Sequence, residues 1–130
     1  MRPSNEIAKE MLDALIKGDE AGVLVHIDPN VELIEPVSLP YQGGIGLDAF
    51  KKCVFGEILA RTIPEIKRCE IIGSGDKVAN SFDVLFKSRK TGKTIQMSYV
   101  ELYTFRNEKI VKVDVYPQDT KLLREFFDAN

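Results

Sequence analysis

The sequence predicts an α+β fold, a curved antiparallel or mixed sheet wrapped around N-terminal helices, and three observations predict it. Helical patterns come first and four strand patterns then follow with only short turns between them, an order typical of segregated α+β domains and not of βαβ alternation. The two middle strand patterns, Lys77 to Lys87 and Thr94 to Phe105, are too long to stay flat, because twist accumulates along a strand. A bent sheet has a concave face for the helices to cover, and the half-cone beneath it stays hollow unless large side chains fill it. Third, 130 residues with 44% hydrophobic content suffice for one core and not for two, so residues 1–130 form a single domain.

Taken in order, Ser4 suits the N-cap of a first helix whose apolar positions Ile7, Met11, Ala14 and Leu15 share a face, and Gly18 suits its end. Asp19 suits the cap of a short second helix through about Val25. Asp28-Pro29-Asn30 reads as a turn, and Val31 to Val37 as a short strand that Pro36 confines to its end or to an edge. Ser38 to Gly46, with Pro40 and three glycines, reads as a loop able to lie over a pocket mouth. A third helix is expected from about Leu47 to Arg61, with Phe50, Val54 and Ile58 on one face and Pro64 as its stop. Strands at Ile66 to Ile72, Lys77 to Lys87, Thr94 to Phe105 and Lys109 to Tyr116 are separated by Gly73-Ser74-Gly75-Asp76, Thr91-Gly92 and Asn107-Glu108. A last helix is expected from Asp119 to about Phe127.

Composition excludes several classes. A net charge of -2 with dispersed basic residues argues against a nucleic-acid partner, which needs clustered positive charge. The one dense group, Lys87, Arg89, Lys90 and Lys93 around Gly92, reads as a solvated hairpin tip. Cys53 and Cys69 belong to no C-x-x-C pair and are expected to be free structural thiols. With no signal-like N-terminus and no long apolar run, neither secretion nor a membrane partner is expected, and the default location is cytoplasmic. His26 is the only histidine, so no metal site is expected. Gly44-Ile45-Gly46-Leu47-Asp48-Ala49 satisfies G-x-G-x-x-A, but a stretch broken by Pro36 and Pro40 precedes it and no run of βαβ units accompanies it. Dinucleotide binding is therefore not expected, nor any other cofactor.

The most informative residue is Glu101. Strand alternation puts it on one face with Met97, Tyr99, Tyr103 and Phe105, a carboxylate amid aromatic and apolar neighbours. Burying an unpaired carboxylate is costly, so Glu101 is paired with a lysine or arginine across the sheet, hydrogen-bonded, protonated or open to a cavity. The aromatic face it shares with Phe82 and Phe86 is either core or a ligand platform. Asp114 falls on the face opposite Val113 and Val115. The outer parity, Ser98, Val100, Leu102 and Thr104 with Ile110 and Lys112, mixes apolar and polar residues. Such a face is usually covered, and a homodimer through it is expected.

Several stretches resemble the ketosteroid isomerase and SnoaL-like polyketide cyclase branch of the nuclear transport factor 2-like superfamily, whose fold is cystatin-like. Gly18-Asp19 closes the first helix as in that family. Val31-Glu32-Leu33-Ile34-Glu35-Pro36-Val37 with Pro40 and Gly43 resembles the isomerase's Asp-Pro-Val strand and its loop. Phe82-Asp83-Val84-Leu85-Phe86 resembles its Phe-x-Val-x-Phe strand, and Val100-Glu101-Leu102-Tyr103-Thr104-Phe105 its strand with a buried acid. The resemblance spans nearly the whole chain. It implies that Glu35 stands where the isomerase has its general base, and Glu101 where it has the protonated acid of its oxyanion hole. The family's helix tyrosine falls on Met11, which cannot donate a hydrogen bond, so Tyr99 or Tyr103 is the candidate for that phenol.

Together with the two glutamates, the resemblance implies a small cofactor-independent isomerase or cyclase-like enzyme acting on a hydrophobic carbonyl compound. Its catalytic candidates are Glu35, Glu101, Tyr99 and Tyr103, and its expected pocket walls are Met11, Leu15, Phe55, Phe82, Val84, Phe86, Met97, Val113 and Val115. The alternative is a non-catalytic module of the same fold that holds a small ligand or dimerises. On that alternative Glu35 is a solvated strand end.

Overall fold

The computed structural model describes residues 2–130 and contains one six-stranded sheet with helices packed on its concave side. Helix α1 (Ser4–Ile16) buries Ile7, Ala8, Met11 and Leu12. Its N-cap is Pro3 and not Ser4, which stands inside the first turn. Asp19 caps α2 (Glu20–Leu24), accepting the Gly22 N–H at 3.0 Å.

Strand β1 (Ile27–Ile34) starts earlier and stops sooner than the expected Val31–Val37. The Asp28-Pro29-Asn30 turn survives inside it as an irregularity: Asp28 Oδ1 accepts the Asn30 N–H at 2.8 Å where the register with its neighbour shifts. Pro36 cannot donate to a ladder, and β1 ends two residues before it.

The stretch from Ser38 to Gly46 does not lie over the pocket. It buries Leu39 and Tyr41 in the core, then adds a two-residue strand, β2 (Gly44–Ile45), to the edge of β1. Gly43 makes this return possible, since a Cβ there would stand 2.0 Å from the Leu33 carbonyl oxygen. Gly46, with φ of 98°, turns the chain into the third helix, so the nucleotide-like glycines serve the loop geometry.

That helix occupies the expected residues in an unexpected form. It runs as α3 (Leu47–Lys51), a π-helical stretch (Lys52–Ile58) and one last turn, α4 (Leu59–Arg61). Pro64 does not stop it. The chain is extended from Thr62, and Pro64 sits inside β3 (Thr62–Ile72), which as an edge strand tolerates the missing donor.

Strands β4 (Lys77–Ser88), β5 (Thr94–Arg106) and β6 (Lys109–Pro117) complete the sheet in the order β2-β1-β6-β5-β4-β3. All neighbours are antiparallel except β1 and β6. Asn107 and Glu108, both at positive φ, form the tight turn between β5 and β6. Just after it Thr104 pairs with Lys112 and Phe105 with Ile110, leaving Val111 as a bulge. This bulge corrects one expectation: Ile110, placed on the outer face by simple alternation, is fully buried, whereas Lys112 is not.

Helix α5 (Thr120–Ala129), capped by Asp119, turns Leu123, Phe126 and Phe127 back onto the sheet. The Phe127 ring meets Tyr41 at 5.1 Å and Phe86 at 5.9 Å, both edge-on, and the Arg61 guanidinium lies 5.2 Å from its centroid. These contacts tie the loop, the sheet and both later helices together at one end of the core.

Candidate active site

The concave side encloses a cavity of about 100 Å³. Its deep walls include Met11 from α1, Phe82, Val84 and Phe86 from β4, and Val113 and Val115 from β6. Half-buried lining residues, Leu15 and Ile16, Ile58 and Leu59, Pro64 and Ile66, border it where α1, α4 and β3 converge and mark its mouth. Into this apolar space come Glu35, Tyr99, Glu101 and Tyr103. The two carboxyls therefore share one hollow, and Glu35 is no solvated strand end.

Two wall assignments need correction. Met97 is only 3% exposed but does not border the cavity: the Phe86 and Tyr99 rings, 6.2 Å apart, meet diagonally across the register step that Met97 occupies opposite Val84. Phe55 packs against the core from the side. Phe50, Val54 and Ile58, spaced four apart through the α-helical and π-helical turns, line the cavity, and Phe55 falls beside them.

Glu101 has no basic partner across the sheet. Its neighbours are Asn80 on β4 and Val115 on β6. Its Oε1 accepts the Tyr103 hydroxyl at 2.7 Å. Tyr103 Oη in turn faces the Asn80 side-chain amide at 3.5 Å, and Asn80 Oδ1 lies 3.3 Å from Cys69 Sγ. Asn80 is wholly buried, and this chain of polar contacts is what satisfies it.

Glu35, one residue beyond β1, is held differently. Its Oε2 receives only a long contact from the Cys53 thiol, 3.8 Å away, and its Oε1 is buried with no partner. The Cys53 comes from the π-helical stretch. Burial also pushes the Cys53 thiol and the Tyr41, Tyr99 and Tyr103 hydroxyls well up, so all four keep their protons.

The two acids differ in consequence. Burial pushes Glu35 up to about 8, the charge of Glu101 adds to the rise, and the Cys53 contact opposes it weakly. Burial also raises Glu101, but the Tyr103 hydrogen bond supports its charged form. Glu101 is therefore the first to ionise, and its charge then holds the proton on Glu35. The two carboxyls of the hollow are thus supported unequally, Glu101 by a hydroxyl at 2.7 Å and Glu35 by one long thiol contact.

Three polar residues of the site carried weak signals in the sequence. Asn80 sits on the inward parity of β4 between Val78 and Phe82, the same anomaly that exposes Glu101. Cys53 and Tyr41 are ordinary core candidates by type, and only the fold brings them to the carboxyls. His26 stands apart, its Nε2 3.1 Å from Glu10 Oε2. Among the described residues no group of three or more His, Cys, Asp or Glu side chains is placed to hold a metal ion.

Residues 8–113, most of the chain, match the SnoaL-like domain. The chain belongs to the SnoaL-like domain family. No curated protein matches it. Among solved structures, an NTF2-like protein from Burkholderia thailandensis is 23% identical, with a TM-score of 0.83 over 96% of this chain and 97% of that one. A putative polyketide cyclase from Xanthomonas campestris pv. campestris is 15% identical, with a TM-score of 0.80 over 95% and 96%. TerC, co-crystallised with polyporic acid, is 21% identical, with a TM-score of 0.78 over 96% and 98%. At these identities the likeness extends to the SnoaL-like, NTF2-like fold alone. Another relative of similar likeness, from Xanthomonas campestris, is described as cystatin-like. No described helix of this SnoaL-like protein is long and apolar enough to cross a membrane.

Proposed function

We propose that this SnoaL-like protein is a small isomerase or cyclase-like enzyme that moves a proton on a hydrophobic carbonyl compound. The observation that carries this reading is the pair of unlike carboxyls in one apolar hollow. Abstracting a proton next to a carbonyl needs a base in reach of the carbon and a donor at the oxygen where negative charge appears. Glu101, held by Tyr103, supplies the carboxylate, and Glu35 supplies the neutral acid through its unpartnered Oε1. These roles are the reverse of those the isomerase resemblance implies, because Tyr103 favours ionisation of Glu101 while little favours that of Glu35. With acceptor and donor both in place, the reaction needs no cofactor. The polyketide cyclase and the polyporic acid complex among the structural relatives support a cyclic carbonyl or enol as the substrate type.

The test is exchange of solvent deuterium into the α-carbon of simple cyclic ketones, followed by NMR near pH 7. The expected result is catalysed exchange that Glu101→Gln abolishes while the fold is kept. If the parent protein exchanges no faster than buffer with any ketone it binds, the hollow is a binding site without chemistry.

We also propose that two copies pack through the outer sheet face. Val100 and Tyr116 are paired across β5 and β6 there, 42% and 59% exposed. The Arg68–Asp83 ion pair lies on the same face. Light scattering at micromolar concentration is expected to give a dimer mass and Val100→Arg a monomer; a parent monomer contradicts the proposal.

A further inference from the structure

The size and polarity of the hollow restrict what it takes, an inference that rests on the carbonyl reading above. About 100 Å³ is a small space. A dry protein cavity of about 150 Å³ takes a single benzene. The hollow is smaller than that, so one ring, or a short chain of similar bulk, is the most it receives. A second fused ring has to displace a wall, because Ile16, Leu59 and Pro64 at the mouth already belong to the lining that bounds this volume.

Polarity within the hollow is equally uneven. Glu101 and Tyr103 satisfy each other at 2.7 Å, whereas Glu35 Oε1 is buried and bonded to nothing. An unmet buried oxygen of this kind costs free energy until a ligand atom meets it. The groups that act on Glu35 are Glu101, whose charge raises it, and the Cys53 thiol, whose contact lowers it; burial holds the proton on Cys53 and on the nearby Tyr41 and Tyr99 hydroxyls. No cationic side chain lines the cavity to receive a carboxylate or phosphate.

From this geometry we infer that the ligand is a neutral single-ring or short-chain compound whose one oxygen docks against Glu35 Oε1, and not a fused-ring compound or an anion. The oxygen accepts a hydrogen bond from the protonated acid, and the apolar remainder fills the space toward Met11 and Val115.

The experiment is titration at pH 6, by protein NMR, with three probes: 2-cyclohexen-1-one, cyclohexene and trans-1-decalone. The expected result is saturable binding of cyclohexenone that perturbs the residues around Glu35, with decalone about tenfold weaker or worse. Glu35→Gln, which keeps a donor, is expected to retain cyclohexenone. Glu35→Leu is expected to lose it about tenfold while cyclohexene binding is kept, which separates a lost hydrogen bond from a lost fold. Decalone binding as tightly as cyclohexenone, equal loss of both six-membered rings in Glu35→Leu, or no saturable binding of cyclohexenone overturns the inference. Deuterium exchange reports separately: selective binding without exchange refutes the enzyme and leaves the ligand class standing, and exchange of decalone alone does the converse.

Discussion

Replacing Glu35 by glutamine is expected to make the protein more stable in mild alkali, the opposite of what removing a polar contact usually does. The ordinary value for this carboxyl is 4.5, and in the folded protein it is pushed up to about 8, chiefly by burial. Below pH 4.5 folded and unfolded chains both carry a neutral Glu35, and no penalty arises. Between 4.5 and about 8 the unfolded chain ionises the group while the folded chain retains the proton, so stability falls as pH rises. Above about 8 the loss is complete. The separation corresponds to a ceiling of about 5 kcal/mol, and water entering the cavity is expected to reduce it to about 2–5 kcal/mol. Glutamine is nearly isosteric with the neutral acid and does not titrate. Urea unfolding of parent and Glu35→Gln at pH 5 and pH 8.5 measures the effect. The two proteins should agree within about 1 kcal/mol at the lower pH, and the variant should lead by about 2 kcal/mol or more at the higher. Glu101 titrates in both proteins and largely cancels from the difference. Parallel profiles, or a variant that is weaker at pH 8.5, refute the claim that the Glu35 carboxyl is held in a dry place.

Two further perturbations probe the surroundings. Tyr103→Phe removes the hydroxyl that supports the Glu101 charge, so the Glu101 titration should move further up at a stability cost of about 1 kcal/mol; carbon NMR and urea unfolding read the two effects. Phe127→Ala deletes the ring that joins Tyr41, Phe86 and Arg61, and thermal or denaturant unfolding should register a loss of about 3–5 kcal/mol.

Much of the fold was legible in the amino-acid order because the strand signals are strong. Lys77 to Lys87 and Thr94 to Phe105 alternate cleanly, and the structure extends each by a single residue. The convergence of Glu101 with Tyr99 and Tyr103 follows from that same alternation. What escaped depends on departures from ideal periods. Simple parity fails at the Val111 bulge, which turned Ile110 inward, and nothing in Lys52 to Ile58 announces i→i+5 winding. Pro64 reads as a helix stop unless the edge position of β3 is known. Asn80 was readable in principle, as a polar residue on an apolar parity. Its connection to Tyr103 depends on a cross-strand register that sequence does not specify.

Everything proposed for function depends on two carboxyls enclosed together in apolar surroundings and supported unequally. The most direct measurement is a site-resolved carbon-13 titration of the glutamate side-chain carboxyls, assigned with Glu35→Gln and Glu101→Gln. Glu35 is expected to titrate near 8, and Glu101 above the ordinary 4.5 but before Glu35. If both titrate together near 4.5, the carboxyls are solvated, and neither the acid and base roles nor the ligand assigned to the hollow survives.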